Sequence, residues 1–219
     1  MNVIDLTLPI YEGMQTFPSR NHPRIKVSAL GRLSRDGRNT TKITIGSHAG
    51  THIDAPAHFL ARGKTIDGLS MKDLVGEARV IDLTSIRSGQ PILKEHLSDL
   101  EGDSGARRVL LRTGWSKKWG TSRYYTDYPY LSPEACRYIV SKKVKLLGLD
   151  TPSPDDPKDN FHSKNDSPNH KYLFRNGIIL VEYLTNLDKI DTGNFSIAAL
   201  PLPIRGCDGS PARVIAFWR

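Results

Sequence analysis

Eight short apolar runs are spread from one end of the chain to the other, and their number restricts the folds open to it. They are Val3–Leu8, Lys42–Ile45, Ala78–Leu83, Arg108–Arg112, Lys145–Leu149, Ile178–Tyr183, Ser196–Leu200 and Arg213–Trp218. Each is rich in Val, Ile or Leu and bounded by Gly, Pro, Asp or Ser, the pattern of strands separated by turns. Helical patterns are fewer. Pro91–Leu100 opens with proline, which suits a first helical turn. Ser132–Lys143 opens Ser-Pro-Glu, carries Ala135, Ile139 and Val140, and ends in lysines, so both ends of its dipole are complemented. His170–Asn176 reads as a short helix stopped by Gly177. These patterns predict an α/β chain with a mixed or barrel-like β core and few peripheral helices. A length of 219 residues fits one domain, 1–219, large enough to fold around its own core.

Composition excludes several classes. Hydrophobic residues are 38% and charged residues 25%, which is not the balance of a disordered chain. The longest apolar run, Val214–Trp218, is far short of the ~20 residues of a membrane helix. The opening MNVIDLTLPI has no basic region followed by an apolar core, so no signal peptide is read there. Cys136 and Cys207 form no CxxC pair, which points to a reduced, cytoplasmic protein. The formal charge of +8 raises the question of nucleic acid. The basic clusters (Arg32/Arg35/Arg38, Lys117-Lys118, Lys142-Lys143-Lys145) are short and scattered, so a solvated basic surface is expected, with no nucleic-acid or membrane partner.

The chemistry concentrates in Ser47–Phe59. His48, His52 and His58 are three of the chain's seven histidines, and Asp54 lies among them. A metal holds nitrogen and oxygen donors at about 2.0–2.2 Å, so the donors must converge. A straight strand would separate His48 from His52 by ~13 Å. A helix would rotate Asp54 off the histidine face, and Gly50 and Pro56 oppose one. A bent segment remains, turned at Gly50. Its donors suit Zn, Mn, Fe or Ni, with Zn the commonest; the plain alternative is a loop of surface histidines. Downstream, Gly177–Leu184 reads as a strand with Glu182 in an apolar run. Glu182 would need a metal or a partner if buried, or would face solvent on an edge strand. His170 begins the helix before that strand and could converge with Glu182. His162 competes for the same place, within the Pro- and Asp-rich stretch Asp150–Asn169. A loop that long inside a domain is usually functional or disordered.

The run His48-x-Gly50-Thr51-His52-x-Asp54-x-Pro56-x-His58 resembles the signature of the cyclase family of metal-dependent hydrolases, which includes bacterial kynurenine formamidase and isatin hydrolase. Val3–Pro9, Val109–Trp115, Leu147–Pro154, Gly177–Leu187 and Leu200–Ala212 resemble further blocks of that family. The resemblance implies a swivelling β/β/α fold, assembled as a homodimer or homotetramer. It implies a first metal on His48, His52 and Asp54, and a second on Asp54, His170 and Glu182. These would be zinc, two per chain, or manganese, with His58 as the acid–base group. It further implies hydrolysis of a small N-acyl or cyclic amide, the substrate being an amide or lactam. Where the family often has aromatic-Pro-Gly-Asp near the substrate, this chain has Phe17-Pro18-Ser19-Arg20. Phe17 and Arg20 are therefore candidate substrate contacts. Arg20 would favour a carboxylate-bearing substrate if it faces the pocket, and would be solvated otherwise. Outside enzymes, a non-catalytic metal- or anion-binding module is the competing expectation.

Overall fold

Val109, Leu110 and Leu111 are all fully buried, so their strand has no solvent face and must be covered on both sides. The computed structural model, which describes residues 1–101, 107–158 and 166–219, places that strand in the middle of a mixed sheet. The strands are β1 (Asn2–Asp5), β2 (Lys26–Gly31), β3 (Thr40–Thr44), β4 (His52–Asp54), β5 (Val75–Asp82), β6 (Pro91–Ile92), β7 (Arg108–Arg112), β8 (Tyr130–Leu131), β9 (Leu146–Leu149), β10 (Ile179–Glu182), β11 (Phe195–Pro201) and β12 (Gly209–Trp218). The α-helices are α1 (Leu33–Asp36), α2 (Met71–Leu74), α3 (Pro133–Ser141) and α4 (Pro168–Arg175).

The main sheet has eight strands in the order β1-β12-β11-β5-β7-β9-β10-β4. A further pairing of β4 with β12 closes seven of them into a ring, with β1 added outside. Strands β5, β7, β9 and β10 run parallel, while β11, β12 and β4 pair antiparallel. The expected mixed, barrel-like core with few helices is what forms.

Alternation assigns the two faces. Leu110, Leu146, Val181, Ile197, Val214 and Ala216 fill the ring. Val109, Leu111, Leu147, Leu149 and Leu180 point outward against Ala135, Cys136 and Ile139 of α3 and Leu173 and Phe174 of α4. Gly148 faces the ring interior at a close approach of Leu110 and Leu184. A Cβ there would stand 2.5 Å from Leu110 Cδ2 and 2.7 Å from Leu184 Cδ1. Gly148→Ala is expected to cost about 1–3 kcal/mol of stability through overpacking, read as a lower denaturant midpoint with an unchanged slope.

The helix expected over Pro91–Leu100 does not form as such. Pro91 and Ile92 pair in parallel with Tyr130 and Leu131, and a 3-10 stretch follows over Lys94–Leu100, broken at Leu97 (φ −104°, ψ 19°). The His96 ring accepts from the Leu93 N–H at 3.0 Å, which tightens the turn and brings Leu97 and Leu100 together into the core. Helix α3 forms as expected, with the Ser132 hydroxyl accepting from the Ala135 N–H. Helix α4 begins two residues ahead of His170 because Pro168 occupies its first turn. The ribbon of β2 and β3 extends the run expected at Lys42–Ile45. No helix among the described residues is long and apolar enough to cross a membrane.

Candidate active site

Strand β4 carries the centre of the site. Ile53 points into the ring, so His52 and Asp54 point outward together. In register, His52 lies opposite Glu182 and Asp54 opposite Leu180. Leu180 belongs to the outward face, so His52, Asp54 and Glu182 share the surface that α4 covers. The predicted bend is present: Gly50 has φ +60°. It returns His48 over the strand, with its Nδ1 2.6 Å from Asp54 Oδ1. Gly209, opposite Asp54 on β12, makes the space for that ring; a Cβ would stand 2.7 Å from His48 Cε1. After β4, Pro56–His58 forms a 3-10 turn that stacks the His58 ring on His48, centroids 3.8 Å apart.

Helix α4 supplies His170. Its Nε2 stands 3.2 Å from Glu182 Oε1 and 3.4 Å from Asp54 Oδ2. Asp155 holds this end of the helix: it accepts from the Asn169 and His170 N–H groups at 2.6 and 3.3 Å and from the His170 ring at Nδ1. Within the Pro/Asp stretch, residues 150–155 are thus buried, and Asp155 anchors this end of the helix. His162 lies outside the described residues.

His48, His52, Asp54, His170 and Glu182 are all buried. Burial alone would lower His48, but the charge of Asp54 and the hydrogen bond to Asp208 outweigh it and push it up to about 10. Burial would raise Asp54; His48 and His52 hold it well below the carboxylate range. Glu182 is raised by its burial and by the charge of Asp54. Hydrogen bonds from His48 and His58 hold Asp208 far below its ordinary value.

These groups line a cleft of about 530 Å³ with Phe17, Arg20, His22, Phe59 and Tyr183. Phe17 packs on His22 at 5.4 Å and on Tyr125 at 5.5 Å. Arg20 is exposed at the rim. Every candidate residue within the described range therefore reaches one cleft. Sequence reasoning missed His22, Phe59, Tyr183 and Asp208 in the cleft, and Asp155 behind it. Asp155 was visible only as one acid of a Pro/Asp-rich stretch, and Asp208 sits in Gly-Cys-Asp-Gly ahead of the last strand, a pattern that by itself reads as a turn. Tyr183, next to Glu182, has φ +58°, backbone strain of the kind that collects at functional sites.

The donor chemistry fits metal ions. His52 Nδ1 faces the Gly50 carbonyl at 2.8 Å. A carbonyl only accepts, so this nitrogen carries the hydrogen and Nε2 turns inward, 3.0 Å from Asp54 Oδ1 and 3.6 Å from Glu182 Oε2. His170 repeats the arrangement, with Asp155 outside and Nε2 inside. Glu182 Oε1 is buried and receives no aligned hydrogen bond. Buried ring nitrogens and carboxylate oxygens thus converge in the cleft, and cations there would satisfy them. Among the described residues, two groups have ligand atoms within 4.8 Å of one another: His48, Asp54 and His58, and His52, Asp54 and Glu182. Asp54 is common to both, as a bridging carboxylate would be.

The chain belongs to the cyclase family: the Cyclase family model ("Putative cyclase") matches residues 4–156. Among curated relatives, the kynurenine formamidase of Bacillus cytotoxicus is 36% identical over 214 residues, covering 97% of this chain and 95% of the relative. Among solved structures, isatin hydrolase A from Labrenzia aggregata, bound to benzyl benzoate, superposes with a TM-score of 0.85 at 25% identity, covering 98% of this chain and 93% of that one. A structure described as a potential metal-dependent hydrolase with cyclase activity gives a TM-score of 0.79 at 30% identity, covering 100% and 98%.

Proposed function

We propose that this chain is a metal-dependent hydrolase that cleaves the C–N bond of a small N-acyl or cyclic amide, with an N-formyl arylamine of the kynurenine formamidase kind as the preferred substrate. The observation that carries the reading is Asp54. One buried carboxylate faces His48, His52 and His170 at 2.6, 3.0 and 3.4 Å, in a chain 36% identical to a kynurenine formamidase. His48, His52 and Asp54 would hold a first metal, and Asp54, His170 and Glu182 a second, zinc or manganese. When bound, such metals polarise an amide carbonyl and lower the pKa of water from 15.7 towards ~7.

The chain's own residues supply the rest. His58 is only partly buried, and its Nδ1 faces Asp208 at 3.2 Å. Its other nitrogen is free to take a proton from the attacking water and give it to the leaving nitrogen. Phe17, Phe59 and Tyr183 give the cleft aromatic walls that shed water around an aryl amide. Arg20 at the rim is suited to a carboxylate on the substrate. Two free cysteines, Cys136 and Cys207, agree with a reducing cytoplasm, and family membership supports a homodimer or homotetramer.

The test is hydrolysis of N-formylkynurenine, isatin and a panel of amides and esters before and after chelation. Loss on chelation and recovery with zinc or manganese is expected. Isatin turned over in preference to the formamide would favour the lactam reading, which the isatin hydrolase structures support. Metal binding without any turnover would make the chain a binding module. Asp155→Asn is expected to weaken the second metal about 10–100-fold by loosening His170, so that metal content after dialysis falls towards one per chain.

A further inference from the structure

We propose that Asp208 is a positioning residue which, through one carboxylate oxygen, fixes the rings of both His48 and His58. The inference rests on the metallohydrolase reading above. Asp208 Oδ2 stands 2.8 Å from His48 Nε2 and 3.2 Å from His58 Nδ1. A carboxylate only accepts, so both nitrogens carry hydrogens. His48 Nδ1 faces Asp54 at 2.6 Å and donates to it as well; a metal held beside Asp54 would take the place of that proton, with Nε2–H still held by Asp208, while His58 presents Nε2 to the substrate. The outer nitrogens of His52 and His170 are anchored in the same way, by the Gly50 carbonyl and by Asp155. Asp208 differs from those anchors in serving two rings at once, that of a proposed ligand and that of the proposed acid–base group.

The backbone holds the carboxylate in place. The Asp208 carbonyl accepts from the Ala55 N–H at 2.9 Å, and the Ala55 carbonyl accepts from the His58 N–H at 2.9 Å. Asp208 is thus tied to the turn that carries His58. Its neighbour Gly209 lies opposite Asp54 and directly beneath His48. The two rings are stacked 29° from parallel, so a displacement of one is felt by the other. Asp208 is 41% exposed, at the edge of the cleft and clear of the packed core, so its replacement leaves the fold's apolar packing untouched.

The experiment compares the zinc-loaded full chain with Asp208→Asn and Asp208→Ala. Three quantities are read: kcat and KM for an N-formyl arylamine, zinc affinity by chelator competition, and the His58 tautomer by nitrogen NMR of the ring. Asp208→Asn is expected to lower kcat about 10–100-fold with KM within about twofold, and to weaken zinc about 10-fold. The His58 signal should change from Nδ1–H to a mixture of tautomers. His58 remaining Nδ1-protonated in both variants, with kcat unchanged, would overturn the proposal. If the unaltered chain hydrolyses no amide, the functional reading fails, while the tautomer comparison still decides the role of Asp208. Should Asp208→Ala not fold, the isosteric Asn variant carries the decision.

Discussion

Asp54→Asn is expected to leave the protein without bound metal and without hydrolysis. The substitution keeps the shape and removes the charge. Among the described residues, Asp54 is the one side chain that His48, His52 and His170 all face, and it belongs to both candidate ligand groups. An amide cannot bridge two cations as a carboxylate does, so both proposed metals would lose a ligand at once. Metal per chain, by elemental analysis, should fall from near two to near zero. kcat/KM should fall by at least about 10³-fold, the scale of losing electrostatic stabilisation of a developing oxyanion. Zinc should also cease to raise the melting temperature, since stabilisation by a ligand requires binding to the folded state. An Asp54→Asn protein that kept both metals would exclude the bridging role.

His58→Ala is expected to separate chemistry from binding. The ring contributes no hydrogen bond to Asp54 or Glu182 and stands on the cleft side of His48. Its loss should lower kcat by about 10²–10⁴-fold, the usual range for a general acid–base group, with two metals retained. A different outcome has a definite meaning. His58 lies within ligand reach of His48 and Asp54. If His58→Ala also loses one metal equivalent, His58 is a ligand and not the proton carrier.

Much of the site was legible because its residues are close in sequence. His48, His52, Asp54 and His58 lie within one bend, and the need for donors to converge dictated a turn at Gly50. The convergence of His170 and Glu182 was legible only as a possibility, since it depends on α4 crossing the outer face of β10. Asp208 was illegible. It reaches His48 across 160 positions, through a pairing of β4 with β12 that no local pattern encodes. The fold divided in the same way. The apolar runs that became β5, β7, β9, β10, β11 and β12 were readable from composition and punctuation. Strand β4 was not, because its three residues are two polar groups around Ile53, and its pairing on both edges comes from closure of the ring. The turn over Lys94–Leu100 was misjudged because a proline and an apolar spacing fit a 3-10 turn as well as an α-helix.

Closure of the ring also dictates when the site can exist during synthesis. Strand β4 leaves the ribosome early, but its partners are β10 and β12, whose residues opposite Asp54 are Leu180 and Gly209. Until β12 has been made, Asp54 lacks one strand neighbour and His48 has no Asp208. Contacts between such distant residues form late, because the chain must first lose the entropy of a long loop. The nascent protein therefore carries a histidine cluster whose strand is paired on both edges, and whose His48 ring is anchored by Asp208, only once the last strand is in place.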